Sequence, residues 1–170
     1  MKSLITALSL SLRVSFVILG PGVGTGLAAV ASPVSVQFVS PSKFTDFQIR
    51  GRDVNYTSGL FANSVQEELT PLMKSKYPNG GLLLRFTDVD LAGRYSIANN
   101  ARTIRGGHPA RMAFDFVLTD ATGKVLAKGS TRLTDNSSLT SNRSDPRRRQ
   151  LFYYERRVLN RWLRTLSPPK

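Results

Sequence analysis

The segment RMAFDFVLTDATGKVLAKGSTRL, residues 111–133, decides the fold of this chain. Its first half alternates large apolar and polar residues with a period of two, which is typical of a half-buried strand. Residues 120–124 supply a turn with Gly123 where a positive φ is needed, and residues 125–133 alternate again with smaller side chains. The segment therefore predicts a β-hairpin. Its inward positions are Met112, Phe114, Phe116, Leu118, Val125, Ala127, Gly129, Thr131 and Leu133.

Two strands and a helix precede this hairpin. Residues 34–38 and 82–89 carry strand patterns, and between them apolar residues recur at three- and four-residue steps over residues 58–76. Pro71 removes a backbone donor, so this helix is expected to kink or to have a separate last turn. Polar sequences predict loops at residues 43–55 and 90–109.

A second helix follows the hairpin and completes the expected order β-α-β-β-β-α. Asp145 and Pro146 predict its start, because aspartate caps exposed amides and proline suits a first helical turn. The first crossover predicts parallel pairing of strands one and two, with antiparallel pairing elsewhere. We therefore expect the α+β class: a two-layer sandwich with a mostly antiparallel sheet and two helices on one face.

Residues 1–31 have the pattern of a cleaved signal peptide. Lys2 precedes a mostly apolar run, and Ala29-Val30-Ala31 places small residues where a signal peptidase reads them. An uncleaved anchor is the alternative, although Pro21 and four glycines make the run a poor membrane span. We expect a single α+β domain over residues 32–170, exported to the periplasm and held together without cysteine.

The charge of the chain predicts anionic partners. The net charge is +13, and residues 32–170 retain 22 basic against 11 acidic side chains. Such an excess attracts polyanions but does not specify a fold. For an exported protein the expected partner is an anionic envelope component, such as lipopolysaccharide or phospholipid phosphates, or an unknown periplasmic protein; nucleic acid is not expected. Contact with a membrane surface is a further option, and diffuse charge that only aids solubility is the plain alternative.

Arginines predict two candidate anion-binding surfaces. At 100° per residue, Arg157, Arg161 and Arg164 align along one stripe of the last helix, beside its apolar arc, while residues 147–149 crowd its expected first turn. The ordinary interpretation is the solvated back of a helix that packs against the core. The second surface is the outward face of the hairpin, which carries Arg111, Lys128 and Arg132.

Acidic residues suggest the enzymatic alternative. Glu155 falls inside the apolar arc, where a carboxylate needs a basic partner, so we expect a structural ion pair rather than a catalytic acid. Its candidate partners are Arg85, Arg94 and Arg111. Asp88 and Asp90 share a strand face, so a hydrolase of an envelope glycan or phosphoester could use them with Glu155. With one histidine and no cysteine, we expect no metal and no cofactor.

Several motifs resemble those of an uncharacterised family. These are VSVQFVSPSKF at residues 34–44, DVDLAG at 88–93, the hairpin, and the Asp-Pro start of the last helix with YERR at 154–157. The sequence is similar to a domain-of-unknown-function family of short, exported proteobacterial proteins. That resemblance implies a bacterial periplasmic protein and carries no activity, cofactor or catalytic residue.

Together these features favour a non-enzymatic protein. Basic side chains are plentiful, whereas no catalytic grouping has an identifiable partner in the sequence. We expect a binding or envelope-maintenance module for an anionic envelope ligand or partner. The hydrolase that uses Asp88, Asp90 or Glu155 is the alternative, and a structural subunit of a larger assembly is a third option.

Overall fold

The computed structural model describes residues 32–96, 101–104, 107–135 and 145–166. The predicted signal peptide lies outside these residues, so its cleavage stays a prediction. Four strands form the main sheet, in the spatial order one, two, five, six, and two short strands pair separately. The elements are β1 (Val34–Phe38), α1 (Val54–Lys76), β2 (Gly81–Asp90), β3 (Arg94–Ser96), β4 (Ala101–Thr103), β5 (Arg111–Thr119), β6 (Val125–Thr134) and α2 (Tyr153–Thr165).

The strand pairing confirms the predicted α+β arrangement. β1 lies parallel to β2, while β2 pairs with β5 and β5 with β6 in antiparallel register. Both helices pack on one face of this sheet around a shared core. Large inward side chains of the sheet meet the apolar stripes of the helices there; among them are Leu84, Phe86, Phe114, Phe61, Leu69, Leu159, Trp162 and Leu163.

Helix α1 begins earlier than the sequence pattern predicts. The Asp53 side chain accepts a hydrogen bond from the Tyr56 amide and caps the helix at residues predicted to be loop. Thr57 and Phe61 are buried one turn apart, so this first part of α1 packs on the core. The helix continues through Pro71 to Lys76, and the predicted separation of its last turn is wrong.

Two further differences shape the surface near α2. The predicted loop over residues 90–109 contains the β3–β4 pair. Asp145 caps a short 3₁₀ turn, Pro146–Arg149, and α2 starts only at Tyr153 after Phe152 adopts a left-handed conformation. The predicted helix start at Asp145 is therefore wrong, and residues 147–149 do not occupy the first turn of α2.

Candidate anion-binding site

One face of α2 lines a basic cavity of about 390 Å³, which we call the arginine cavity. Tyr153, Arg157 and Arg161 reach it at four-residue steps, and Arg164 follows one turn later. The structure thus brings the three predicted stripe arginines together in one cavity. The remaining lining residues are Arg147, Arg156, Asn160, Glu68 and Asp145.

Arg157 holds a structural position in this cavity. Its guanidinium pairs with Asp135, whose side chain is 0% exposed at the end of β6. It also lies about 5.5 Å from the ring centre of Tyr153 and 5.4 Å from that of Tyr154. Arg161 and Arg164 are exposed, so they are the stripe arginines that are most accessible from solvent.

Arg156, which lines the arginine cavity, has one buried donor with no acceptor among the described residues. The Nε atom of Arg156 has no hydrogen-bond partner among the described residues, although the other end of its guanidinium donates to Gln150. A buried polar group without a partner is uncommon and points to an acceptor such as a water or a ligand oxygen.

Two carboxylates of the arginine cavity are already engaged. Glu68 of α1 accepts a hydrogen bond from Asn160 at 2.8 Å, and Asp145 accepts bonds from Arg147 and from the Tyr153 hydroxyl. Hydrogen bonds from Arg147 lower the pKa of Asp145 to about 2. The five arginines therefore outnumber the carboxylates that line the cavity with them.

Sequence reasoning identified only part of this cavity. The prediction missed Arg156 and Asn160, although helical spacing could have indicated them, since they lie three and seven residues after Tyr153 on the same side of α2. Arg147 and Asp145 reach the cavity through the 3₁₀ turn, whose geometry differs from the helix that the sequence predicts there.

The second predicted surface is the outer face of the sheet. The register pairs Arg132 with Ala113 and Lys128 with Val117, and it places Arg111 further along the same outward side of β5. Acidic groups share this face. Asp90 lies 3.4 Å from Arg111, and Asp115 accepts a hydrogen bond from Ser130 at 2.6 Å. The face is thus basic but partly neutralised.

Glu155 is buried, at 3% exposure, but its closest partner differs from the prediction. Its Oε1 atom accepts a hydrogen bond from the Ala92 backbone amide at 2.7 Å. Of the predicted arginine partners, Arg111 pairs with Asp90 and Arg94 donates to His108. No ion pair joins Glu155 to a described residue, so the predicted pairing with one of these arginines is wrong. Burial raises the pKa of the Glu155 carboxyl.

The carboxylates of the hydrolase alternative do not line one cavity together. Asp88 accepts hydrogen bonds from the amide and hydroxyl of Thr45 at 2.8 and 2.9 Å, and Asp90 pairs with Arg111. Glu155 lines a separate cavity, and neither aspartate is among the residues that line it. In the part of the chain that the structure describes, no group of three acidic or histidine side chains could hold a metal ion. A search of the same residues finds no helix long and apolar enough to cross a membrane.

These features define an α+β two-layer domain whose last helix presents an arginine-lined cavity. The chain belongs to the family DUF3016, proteins of unknown function, whose sequence profile matches residues 32–165. The resemblance to an uncharacterised family is thereby confirmed. Among curated proteins, none matches the chain significantly. The chain is also similar to the solved structure of a minor lipoprotein from Acinetobacter baumannii. The sequences are 10% identical, the alignment covers 77% of this chain and 85% of the lipoprotein chain, and the TM-score is 0.26.

Proposed function

We propose that this protein is a periplasmic, non-enzymatic module that binds an anionic component of the cell envelope in the arginine cavity. The observation that carries the proposal is the convergence of five arginines on one cavity of about 390 Å³. The arginine guanidinium presents several N–H donors in a fixed plane and matches phosphate or carboxylate oxygens in pairs.

The details of the cavity support an oxyanion ligand. Five arginines and two carboxylates line the cavity, and an oxyanion would offset this excess of positive charge. Arg161 and Arg164 stand exposed at this cavity, so a ligand can reach them without displacing an ion pair among the described residues. Neither Asp88 nor Asp90 lines the cavity that Glu155 lines, which favours binding over hydrolysis, because two-carboxylate chemistry needs both groups beside one bond.

The proposed location rests on the amino-terminal sequence. Residues 1–31 have the charged start, apolar run and small-residue cleavage pattern of an export signal. In the periplasm, phosphates of lipopolysaccharide and phospholipid headgroups are abundant anions, and a mature net charge of +11 would draw the protein toward them.

Co-sedimentation with phosphatidylglycerol-containing vesicles tests the proposal. The variant Arg161→Gln/Arg164→Gln should bind more than about tenfold more weakly, because it removes both exposed arginines of the cavity. The matched control is Lys43→Gln/Lys74→Gln, which removes the same charge from exposed positions that do not line the arginine cavity and should change binding only slightly.

Arg157 and Lys76 are not substituted in these variants, because both make contacts that stabilise the fold. Arg157 is left intact because it is paired with buried Asp135, so its loss would change stability as well as binding. Lys76 is left out of the control because its ammonium contacts the end of α2. Equal losses in the two double variants would contradict the proposal, since they would show that attraction depends on net charge alone.

A further inference from the structure

A second cavity shares Tyr153 with the arginine cavity but has a different character. It has a volume of about 200 Å³, and we call it the Glu155 cavity. An engineered apolar cavity of about 150 Å³ is large enough to bind benzene, so this space can hold a compact organic group. Its walls come from α2, from the end of β2 and from the β3–β4 pair; the apolar lining includes Ile49, Leu91, Ile104, Leu151 and Phe152.

Glu155 is a buried polar group of this cavity that has hydrogen-bonding capacity to spare. A carboxyl group offers about four acceptor positions, and Glu155 is held by the Ala92 amide through Oε1. Arg102, which also lines the cavity, is already engaged: its guanidinium binds Asp46 at 2.8 and 3.0 Å and the Gly93 carbonyl at 3.0 Å. A polar atom of a bound molecule would therefore meet Glu155.

The backbone beside the Glu155 cavity is strained. Phe152 has φ 57° and ψ 26°, a left-handed conformation that a bulky side chain rarely adopts. Such strain collects at binding and active sites. Its consequence here is that the Phe152 side chain enters the core, while Leu151 stays 55% exposed at the cavity lining.

We infer that the Glu155 cavity binds a small uncharged organic group, a ring or branched aliphatic unit of about benzene size that carries one hydroxyl or amide. The charges of the lining favour a neutral ligand. Arg102 and Arg148 would repel a cation, whereas an anion would meet the Glu155 carboxyl. The Glu155 carboxyl accepts hydrogen bonds, which matches the donor of a hydroxyl or an amide, and its burial raises its pKa.

Phenol is the probe, and the Ala92 amide is the reporter because it donates directly to Glu155. In two-dimensional NMR spectra, phenol should shift the Ala92 amide signal saturably, and benzylamine and benzoate should bind more weakly. A folded protein whose Ala92 signal does not respond to phenol would overturn the inference. Tighter binding of benzylamine or benzoate would overturn the assignment of an uncharged ligand.

Two variants that narrow the cavity test its location. Leu151→Trp and Ile104→Phe should each weaken phenol binding more than about tenfold. Val125→Trp is the matched control, since Val125 is 49% exposed, similar to Leu151, but lies on β6 away from the cavity. Phenol binding that survives in both narrowed variants would contradict the inference. Vesicle binding should be unchanged in Leu151→Trp, so failure here is distinguishable from failure of the anion-binding proposal.

Discussion

At the scale of single residues, Glu155 is a buried carboxyl group that has no ion-pair partner among the described residues. It lies in the first turn of α2, at 3% exposure, and its hydrogen bond to the Ala92 amide only partly replaces the water that an ionised carboxylate would have. The core side of a helix usually carries an apolar residue at such a position. The stability of the domain should therefore depend on the protonation of this group.

Glu155→Gln should be more stable than the parent protein at about pH 8 and equally stable near pH 4. Because burial raises the pKa of Glu155 in the folded state, its stabilising contribution is present at low pH. That contribution is lost as the pH rises through the raised pKa. The glutamine carbonyl can still accept the Ala92 amide, without the charge. Thermal unfolding of both proteins across this pH range measures the difference.

Glu155→Leu provides the control for the hydrogen bond. It removes the charge but leaves the buried Ala92 amide without its acceptor, which costs about 1–3 kcal/mol. It should therefore be less stable than Glu155→Gln at every pH. If the parent and both variants unfold alike at all pH values, Glu155 is solvated and its buried position is not that of the protein in solution.

At the scale of elements, α2 is held at its carboxyl end by α1. The Lys76 ammonium donates to the carbonyls of Leu163, Arg164 and Leu166 at 3.3, 2.9 and 2.7 Å. Lys76→Met should lower the free energy of unfolding by about 1–2 kcal/mol, because it removes the donor that these three carbonyls share, while the Tyr77 hydroxyl still donates to the Leu166 carbonyl. Lys74→Met, an exposed position on the same helix, should change it by less than about 0.5 kcal/mol. Urea unfolding of the two variants makes the comparison, and equal effects would contradict it.

The main sheet and its two helices could be predicted because they depend on periodicity. The alternation in residues 111–133 predicts which side chains face the core, and the observed register preserves it for residues 111–118 and 127–133. A register shift after Leu118 pairs Val125 with Thr119 and leaves Val125 49% exposed, so its predicted inward position is wrong. The β3–β4 pair was missed because its strands have three residues each, too short for a pattern. Its geometry depends on Gly93, where φ is 78° and an added Cβ would lie 2.5 Å from the Thr103 carbonyl oxygen.

The start of α2 was misplaced for a related reason. An Asp-Pro pair can cap a 3₁₀ turn as well as an α-helix. The left-handed conformation of Phe152 cannot be predicted from its residue type, because phenylalanine rarely adopts it. For the site, helical spacing placed Arg157, Arg161 and Arg164 on one side of α2. The pairing of Arg157 with Asp135 joins α2 to the end of β6. These residues are 22 positions apart in the sequence, and no local pattern encodes such a contact.

At the scale of the whole molecule, we predict that export removes residues 1–31. We expect the protein recovered from a bacterial periplasm to begin at Ser32, because Ala29 and Ala31 suit the peptidase. Intact-mass measurement of the periplasmic fraction decides this. Recovery of a chain that retains Met1 in the membrane fraction would show instead that residues 1–31 serve as an anchor.

The basic surfaces of α2 and of the outer sheet face lie on different layers of the domain, so their contributions to binding can be separated. The variant Arg111→Gln/Lys128→Gln/Arg132→Gln should reduce vesicle binding no more than Lys43→Gln/Lys74→Gln/Lys124→Gln, since both remove three exposed charges. The reason is that Asp90 and Asp115 already offset part of the positive charge of the sheet face. The arginine cavity is unchanged in both triple variants.

Salt dependence makes this comparison sharper. Exposed charges are screened within about 8–10 Å at 0.1–0.15 M salt, so the small losses in both triple variants should fade as salt is added. Binding that depends on the arginine cavity should persist further, because Arg156 and Arg157 are partly buried there. If the sheet-face triple variant alone loses binding at all salt concentrations, the ligand lies on the strands, and the stripe on α2 only supports the packing of that helix.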